Sequence, residues 1–157
     1  MAAASSSRRL KAGDILEVQT SRGLSYLQYV GKHTEYGDVI RVLPGWHEYR
    51  VTDFTALIAK AGYLAFYSAR AAVTRGFVET IDSCPLPTGV EVPRNLRRAG
   101  ARGPSGAILT WIVENAGQET LRRELTEAEK KLPIAAIWDH ELLVLRISQG
   151  WSPEQEG

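Results

Sequence analysis

The sequence predicts an α+β fold in which a strongly bent antiparallel sheet or an SH3-like barrel carries two or three short helices. Residues 13–43 alternate apolar and polar side chains in three short runs joined by tight turns, which is typical of a β-meander. Later segments place helix-capping residues before short apolar stripes. The 157 residues are 44% apolar and 24% charged, a composition that suits one folded domain.

The three strands of the meander are predicted at residues 14–20, 24–32 and 38–43. In the second strand, apolar side chains fall on both faces, which indicates a central strand rather than an edge strand. The third strand ends at Pro44-Gly45, a strong turn signal. Strands with such short connections form the start of a small barrel or of a strongly bent sheet.

The middle of the chain predicts one helix and two strands, followed by an irregular stretch. Thr52 has the side chain of an N-cap, and the apolar stripe after it ends at Gly62, which predicts a helix. Strands are expected at residues 63–67 and 76–81, whereas the segment between them fits no single element. Four prolines argue against a regular element within residues 84–106.

The last third predicts a hairpin, a short helix, a strand and a final helix. Residues 107–114 and 118–125 form the hairpin, and Thr126 begins a capping box with Glu129. Pro133 ends that helix, and the next strand is expected at residues 134–138. Asp139 is the predicted N-cap of a helix that continues to Ile147, with a strand as the alternative for residues 142–147.

We expect residues 13–151 to form a single domain between a disordered arm, residues 1–12, and a loose tail, residues 152–157. The arm lacks the apolar region of a secretory signal, and no apolar run reaches the ~18 residues needed to span a bilayer. The single cysteine, Cys84, cannot form an intrachain disulfide, which favours the reducing cytoplasm. A net charge of +1 gives no general attraction to nucleic acid or to membranes.

No motif in the sequence predicts an enzyme or a bound cofactor. Cys84 precedes a proline and has no histidine nearby in sequence, so we interpret it as structural. A nucleophile-elbow motif and a phosphate-binding glycine loop are both missing. The expectation is therefore a non-enzymatic protein without a cofactor.

One alternative is a metal-dependent enzyme built on two histidines. His33 precedes Glu35 by two residues, and His47 is followed directly by Glu48. Two imidazoles and a carboxylate could hold zinc or iron if both loops met at one end of the barrel. The spacing matches no known metal motif, so a polar loop surface is the competing interpretation.

A second alternative is a nucleic-acid-associated SH3-like module that uses a local group of arginines. The four side chains are Arg94, Arg97, Arg98 and Arg102. Clustered arginines could contact phosphates or an acidic protein partner. No aromatic residues lie between them to stack on bases, and this argues against nucleic acid.

The leading hypothesis is a protein-binding surface formed by aromatic loops after the second and third strands. Its predicted residues are Tyr36, Trp46, His47, Glu48 and Tyr49. Tyrosine and tryptophan are enriched at interaction hot spots because they supply large, stiff contact area with a polar tip. The sequence does not indicate the identity of the partner or the oligomeric state.

Three runs of the first module carry a resemblance to a known family: residues 13–18, 24–30 and 37–43. Together they resemble the opening of the bacterial immunity protein family numbered 26, which is associated with polymorphic toxin systems. The resemblance covers about a fifth of the chain. It implies a cytoplasmic bacterial protein that binds a cognate toxin and covers its active surface.

Overall fold

The computed structural model describes residues 9–157, so the first eight residues of the predicted arm lie outside the described residues. Within this range the chain forms nine strands and three α-helices. The strands are β1 (Asp14–Thr20), β2 (Gly23–His33), β3 (Gly37–Val42), β4 (Tyr63–Tyr67), β5 (Glu79–Ser83), β6 (Leu96–Ala99), β7 (Trp111–Asn115), β8 (Gln118–Arg122) and β9 (Ile137–Trp138). The helices are α1 (Thr55–Ile58), α2 (Ala69–Arg75) and α3 (His140–Gln149).

Six strands form the main sheet in the order β5-β1-β2-β3-β4-β9. Neighbours are antiparallel except for β4 and β9, which run parallel. The predicted α+β class, the meander and the central position of β2 are confirmed. Because β5 and β9 occupy the two edges, the described strands form an open sheet and not the closed SH3-like barrel that was the alternative.

Both faces of the main sheet are covered. On one face, α2 and α3 bury side chains such as Ala72, Leu143 and Ile147 against the sheet. On the other face, Tyr26 packs with α1 in one cluster, and a second cluster joins the sheet to Leu96 of β6. Burial on both faces explains why the central strand is apolar on both sides.

The first predicted helix is much shorter than expected. It covers Thr55–Ile58, and its N-cap is Phe54 and not Thr52. The Asp53 Oδ1 accepts a hydrogen bond from the Thr55 backbone N–H at 3.0 Å, in the turn just before the helix. Gly62 does not end this helix and instead lies close against β3.

The segment after β4, whose sequence pattern fits no single element, is the helix α2. It ends at Gly76, which adopts a left-handed conformation with φ +77°. The Phe77 N–H then bonds back to the Ala72 carbonyl at 2.9 Å. The strand predicted from residue 76 therefore begins only at Glu79.

A second sheet, in the order β6-β7-β8, corrects the prediction for residues 84–106. The prolines of this region lie before or after β6 and not within it, so they do not prevent it from pairing with β7. The predicted strand 107–114 is shorter than expected and begins at Trp111. The hairpin of β7 and β8 is confirmed.

The capping predictions near the C-terminus are confirmed. Thr126 and Glu129 bond reciprocally at 2.9 and 3.2 Å, although the helix that follows is a 3-10 turn at Glu129–Lys131. Asp139 caps α3 by accepting from Leu142 N at 2.8 Å, and residues 142–147 are helical. The strand predicted at 134–138 is reduced to Ile137–Trp138.

Residues 152–157, which the sequence predicted to be loose, make specific contacts. They contain a 3-10 turn at Pro153–Gln155, and Pro153 is buried. Arg146 pairs with the Glu156 carboxylate at 2.8 Å. Backbone carbonyls of this segment also accept hydrogen bonds from the Arg97 side chain.

Candidate partner-binding site

A cavity of about 230 Å³ opens at the end of the main sheet where β3 ends and β4 begins. Three aromatic side chains line it: Trp46, Tyr63 and Trp151. We call it the aromatic cavity. Its other walls include three glycines, each directly preceding one of these aromatic residues: Gly45, Gly62 and Gly150.

The main-chain contacts of the loop after β3 hold Trp46 in place. The neighbouring His47 exchanges two backbone hydrogen bonds with Leu24, each 2.8 Å long. Trp46 Nε1 donates to the carbonyl of Ile147 at 3.0 Å, which ties the indole to α3. The Arg22 guanidinium lies 4.0 Å from the centre of the Trp46 ring. Trp46 as a whole stays 37% exposed.

Tyr63 and Trp151 form the opposite wall through edge-to-face packing. Their ring centres are 5.4 Å apart, and Trp138 packs against Trp151 from the core side at 5.2 Å. Arg146 covers the same aromatic group, with its guanidinium 4.2 Å from the Trp151 ring. Rings fixed from several sides provide a preformed surface that loses little conformational entropy on binding.

Gly62 makes this geometry possible because the backbone passes very close to β3. A Cβ atom at this position would lie 2.4 Å from the Val42 carbonyl oxygen. Any side chain would therefore displace the start of β4, where Tyr63 begins the strand. The glycine positions Tyr63 next to the end of β3.

The Tyr63 hydroxyl is the most informative polar group of the cavity. It is buried and has no hydrogen-bond partner among residues 9–157. Burial raises the pKa of this phenol well above its ordinary value, so the hydroxyl keeps its proton. A buried donor without a partner costs about 1–3 kcal/mol.

Of the five predicted partner-binding residues, three continue along the chain after the one that borders the aromatic cavity. Trp46 lines it, while Glu48 and Tyr49 are exposed on the continuing loop, with Tyr49 77% exposed. The half-buried His47 packs against Tyr26 on the other face, and its Nε2 has no partner among residues 9–157.

Tyr36 does not lie near Trp46, His47, Glu48 and Tyr49, although the sequence predicted that all five share one surface. It sits in the turn between β2 and β3, at the opposite end of the sheet, and packs on Phe66 with ring centres 5.0 Å apart. The antiparallel pairing of β2 and β3 separates the two loops, because their connecting turn is at one end and the residues after β3 are at the other.

The predicted two-histidine metal site is not formed. His33 ends β2, whereas His47 pairs with Leu24 at its beginning, so roughly 30 Å of extended strand separates the two positions. His33 Nδ1 is also used locally, accepting from the backbone N–H of Glu35 at 3.1 Å. Within residues 9–157, no group of three or more potential ligands converges to hold a metal ion.

The four arginines predicted to form one patch do not act together. Arg97 is completely buried, and its guanidinium donates to the backbone carbonyls of Lys130 and Pro153 at 3.0 and 2.5 Å. Arg98 pairs with Glu119 at 2.9 Å, and Arg102 donates to a carbonyl of its own turn. Arg94 remains exposed. Arg97 is thus a structural residue and cannot contact a phosphate or an acidic partner.

Sequence reasoning missed Tyr63 and the role of Trp151 in the cavity. A signal was present, because glycine precedes an aromatic residue at four places in the sequence: Gly45-Trp46, Gly62-Tyr63, Gly76-Phe77 and Gly150-Trp151. Three of these pairs meet in the aromatic cavity. Glycine allows close backbone approach, and the neighbouring ring then fills the space beside it.

Comparisons with protein-family models, with curated proteins and with solved structures each gave no match. In the part of the chain that the structure describes, no helix is long and apolar enough to cross a membrane.

Proposed function

We propose that this chain is a non-enzymatic binding protein whose aromatic cavity receives one side chain of a protein partner. The observation that carries the proposal is the preformed cavity of Trp46, Tyr63 and Trp151, where Tyr63 also carries a buried hydroxyl that has no hydrogen-bond partner among residues 9–157. Aromatic pockets filled by a single anchoring residue are typical of interaction hot spots.

The size of the cavity favours a side chain over a metabolite. Its volume of about 230 Å³ is below the roughly 300–1,000 Å³ of sites that enclose drug-sized ligands. A large apolar side chain with a polar tip, such as tyrosine, matches both the aromatic walls and the Tyr63 hydroxyl. Glu48 and Tyr49 on the adjacent loop provide exposed contacts around the anchor.

The more specific proposal is an immunity-type inhibitor in the cytoplasm of a bacterium. Its support is the resemblance of residues 13–43 to the immunity family, together with a docking surface at the end of the same meander. Binding would cover the working surface of a toxin by steric and electrostatic complementarity.

Co-expression with a toxin domain encoded beside this gene tests the proposal. Wild-type protein and Leu121→Ala should relieve toxicity and form a complex, whereas Trp46→Ala should lose binding by at least about tenfold. Leu121 is a suitable control because it is an exposed apolar residue on the second sheet.

Two outcomes would contradict different parts of the proposal. Equal complex formation by Trp46→Ala and the wild type would show that the aromatic cavity is not the docking site. A complex that leaves toxicity unchanged would retain the docking site but exclude inhibition of that toxin.

A further inference from the structure

A second cavity, of about 360 Å³, lies at the opposite end of α3 from the aromatic cavity. It opens where the parallel strands β4 and β9 end and where α3 begins, and we call it the β4–β9 cavity. Ligands of open α/β sheets bind in crevices outside the carboxyl ends of parallel strands. The volume falls within the range of small-molecule sites.

A tyrosine–histidine pair forms one polar wall of the β4–β9 cavity. The Tyr67 hydroxyl lies 2.9 Å from His140 Nδ1 and has no other hydrogen-bond partner among residues 9–157. Donation from Tyr67 to Nδ1 satisfies both groups and fixes the neutral imidazole with its proton on Nε2. His140 Nε2–H is then a donor for a bound molecule.

Arg75 supplies a positive charge at the same cavity. It is exposed at the end of α2, and no ion pair links it to another residue within 9–157. The acidic residue of the lining, Asp139, accepts from the Leu142 backbone as the N-cap of α3, so the helix terminus compensates its charge. The polar groups left for a ligand are therefore mainly donors, which favours an anion.

The remaining walls are apolar. The Phe77 ring stacks on His140 with centres 4.8 Å apart and an angle of 20°, and it is 46% exposed. Ile137 at the edge strand is 55% exposed, and buried Trp138 lines the cavity beside it. Exposed apolar side chains beside a charged group match a molecule that has both a hydrocarbon body and an acid group.

We propose that the β4–β9 cavity binds a small organic carboxylate with an apolar body. The carboxylate accepts hydrogen bonds from Arg75 and His140 Nε2, and the body lies against Phe77 and Ile137. This site is separate from the partner-docking cavity and does not depend on it, since the ten-residue helix α3 lies between them.

Titrations with benzoate, benzamide and inorganic phosphate, followed by amide chemical shifts of the full chain, test this assignment. Benzoate should bind saturably and shift the amides of Phe77 and Ile137. Benzamide, which lacks the charge, and phosphate, which lacks the apolar body, should each bind at least about tenfold more weakly.

Arg75→Gln should weaken benzoate binding by at least about tenfold. Arg98→Gln should leave it unchanged, because Arg98 is a half-buried arginine on the second sheet that pairs with Glu119. Phe77→Ala should weaken benzoate but not phosphate. Equal binding of benzoate and benzamide, full binding by folded Arg75→Gln, or the lack of saturable binding would each overturn the proposal.

Discussion

Replacing the buried Arg97 by methionine should strongly destabilise the protein. The Arg97 side chain is completely buried and donates to four backbone carbonyls, those of Lys130, Leu132, Pro153 and Glu156. It also lies over the Trp111 ring at 4.3 Å. These contacts attach the C-terminal segment to the second sheet, so one side chain joins parts that are distant in sequence.

The expected loss is about 3–5 kcal/mol in the free energy of unfolding. Hydrogen bonds to a charged group contribute about 1.5–3 kcal/mol each, so four of them alone would stabilise the fold by more than the expected loss. Burial of the guanidinium, which also lowers its pKa, offsets part of the gain. A buried hydrogen-bonding group left without its partner costs about 1–3 kcal/mol, and the loss of donors for several carbonyls together gives about 3–5 kcal/mol. Methionine fills similar space but leaves the four carbonyls without their donor.

Urea unfolding of Arg97→Met and of the matched control Arg98→Met measures the difference. Arg98 is 39% exposed in its side chain and pairs on the surface with Glu119, so its replacement should cost less than about 1 kcal/mol. Arg97→Lys should fall between the two, because an ammonium has three donors and no planar face for Trp111. A loss below 1 kcal/mol for Arg97→Met would refute the structural role of this arginine.

Three further predictions concern the two cavities. In urea unfolding, Tyr63→Phe should leave the free energy of unfolding unchanged or raise it by up to about 2 kcal/mol, because the lost hydroxyl has no hydrogen-bond partner within residues 9–157. A clear decrease in the free energy of unfolding would contradict this prediction. Gly62→Ala should destabilise by at least about 2 kcal/mol through its clash with Val42, whereas Gly103→Ala, where a Cβ finds ordinary contacts, should be close to neutral. Burial lowers the pKa of His140 below 6.5, so protons favour the unfolded chain and stability should fall as pH drops through 6.5. The free energy of unfolding of His140→Gln should not show this decrease between pH 7 and 5. A pH profile of stability equal to that of the wild type would contradict the role of His140.

The meander, the hairpin of β7 and β8 and the capped helix α3 could be predicted because local patterns determine them. Alternation over 14–20 and 24–32 and the Asp139 cap require no knowledge of distant contacts. The strand β6 could not be predicted in this way. It contains two arginines, and Arg97 is buried by carbonyls supplied from residues 130–156.

The candidate site was only partly predictable for a similar reason. Aromatic residues in loops predict a binding surface that includes Trp46 and Tyr49, and Trp46 lines the aromatic cavity. Closeness in sequence suggested that Tyr36 belongs to the same surface. Antiparallel pairing places it at the other end of the sheet. Tyr63 and Trp151 are 88 residues apart in the chain and meet only after α3 packs on the sheet.

Titration of the full chain with p-cresol, the side-chain analogue of tyrosine, tests the central claim most directly. The indole N–H resonances of Trp46 and Trp151 report on the aromatic cavity. We predict that p-cresol shifts both resonances saturably and that Tyr63→Phe reduces the affinity for p-cresol several-fold. The same substitution should leave the binding of toluene, which lacks the hydroxyl, unaffected. No shift of either resonance at millimolar p-cresol, or equal p-cresol affinity of Tyr63→Phe and the wild type, would contradict a cavity built to receive a polar-tipped aromatic side chain.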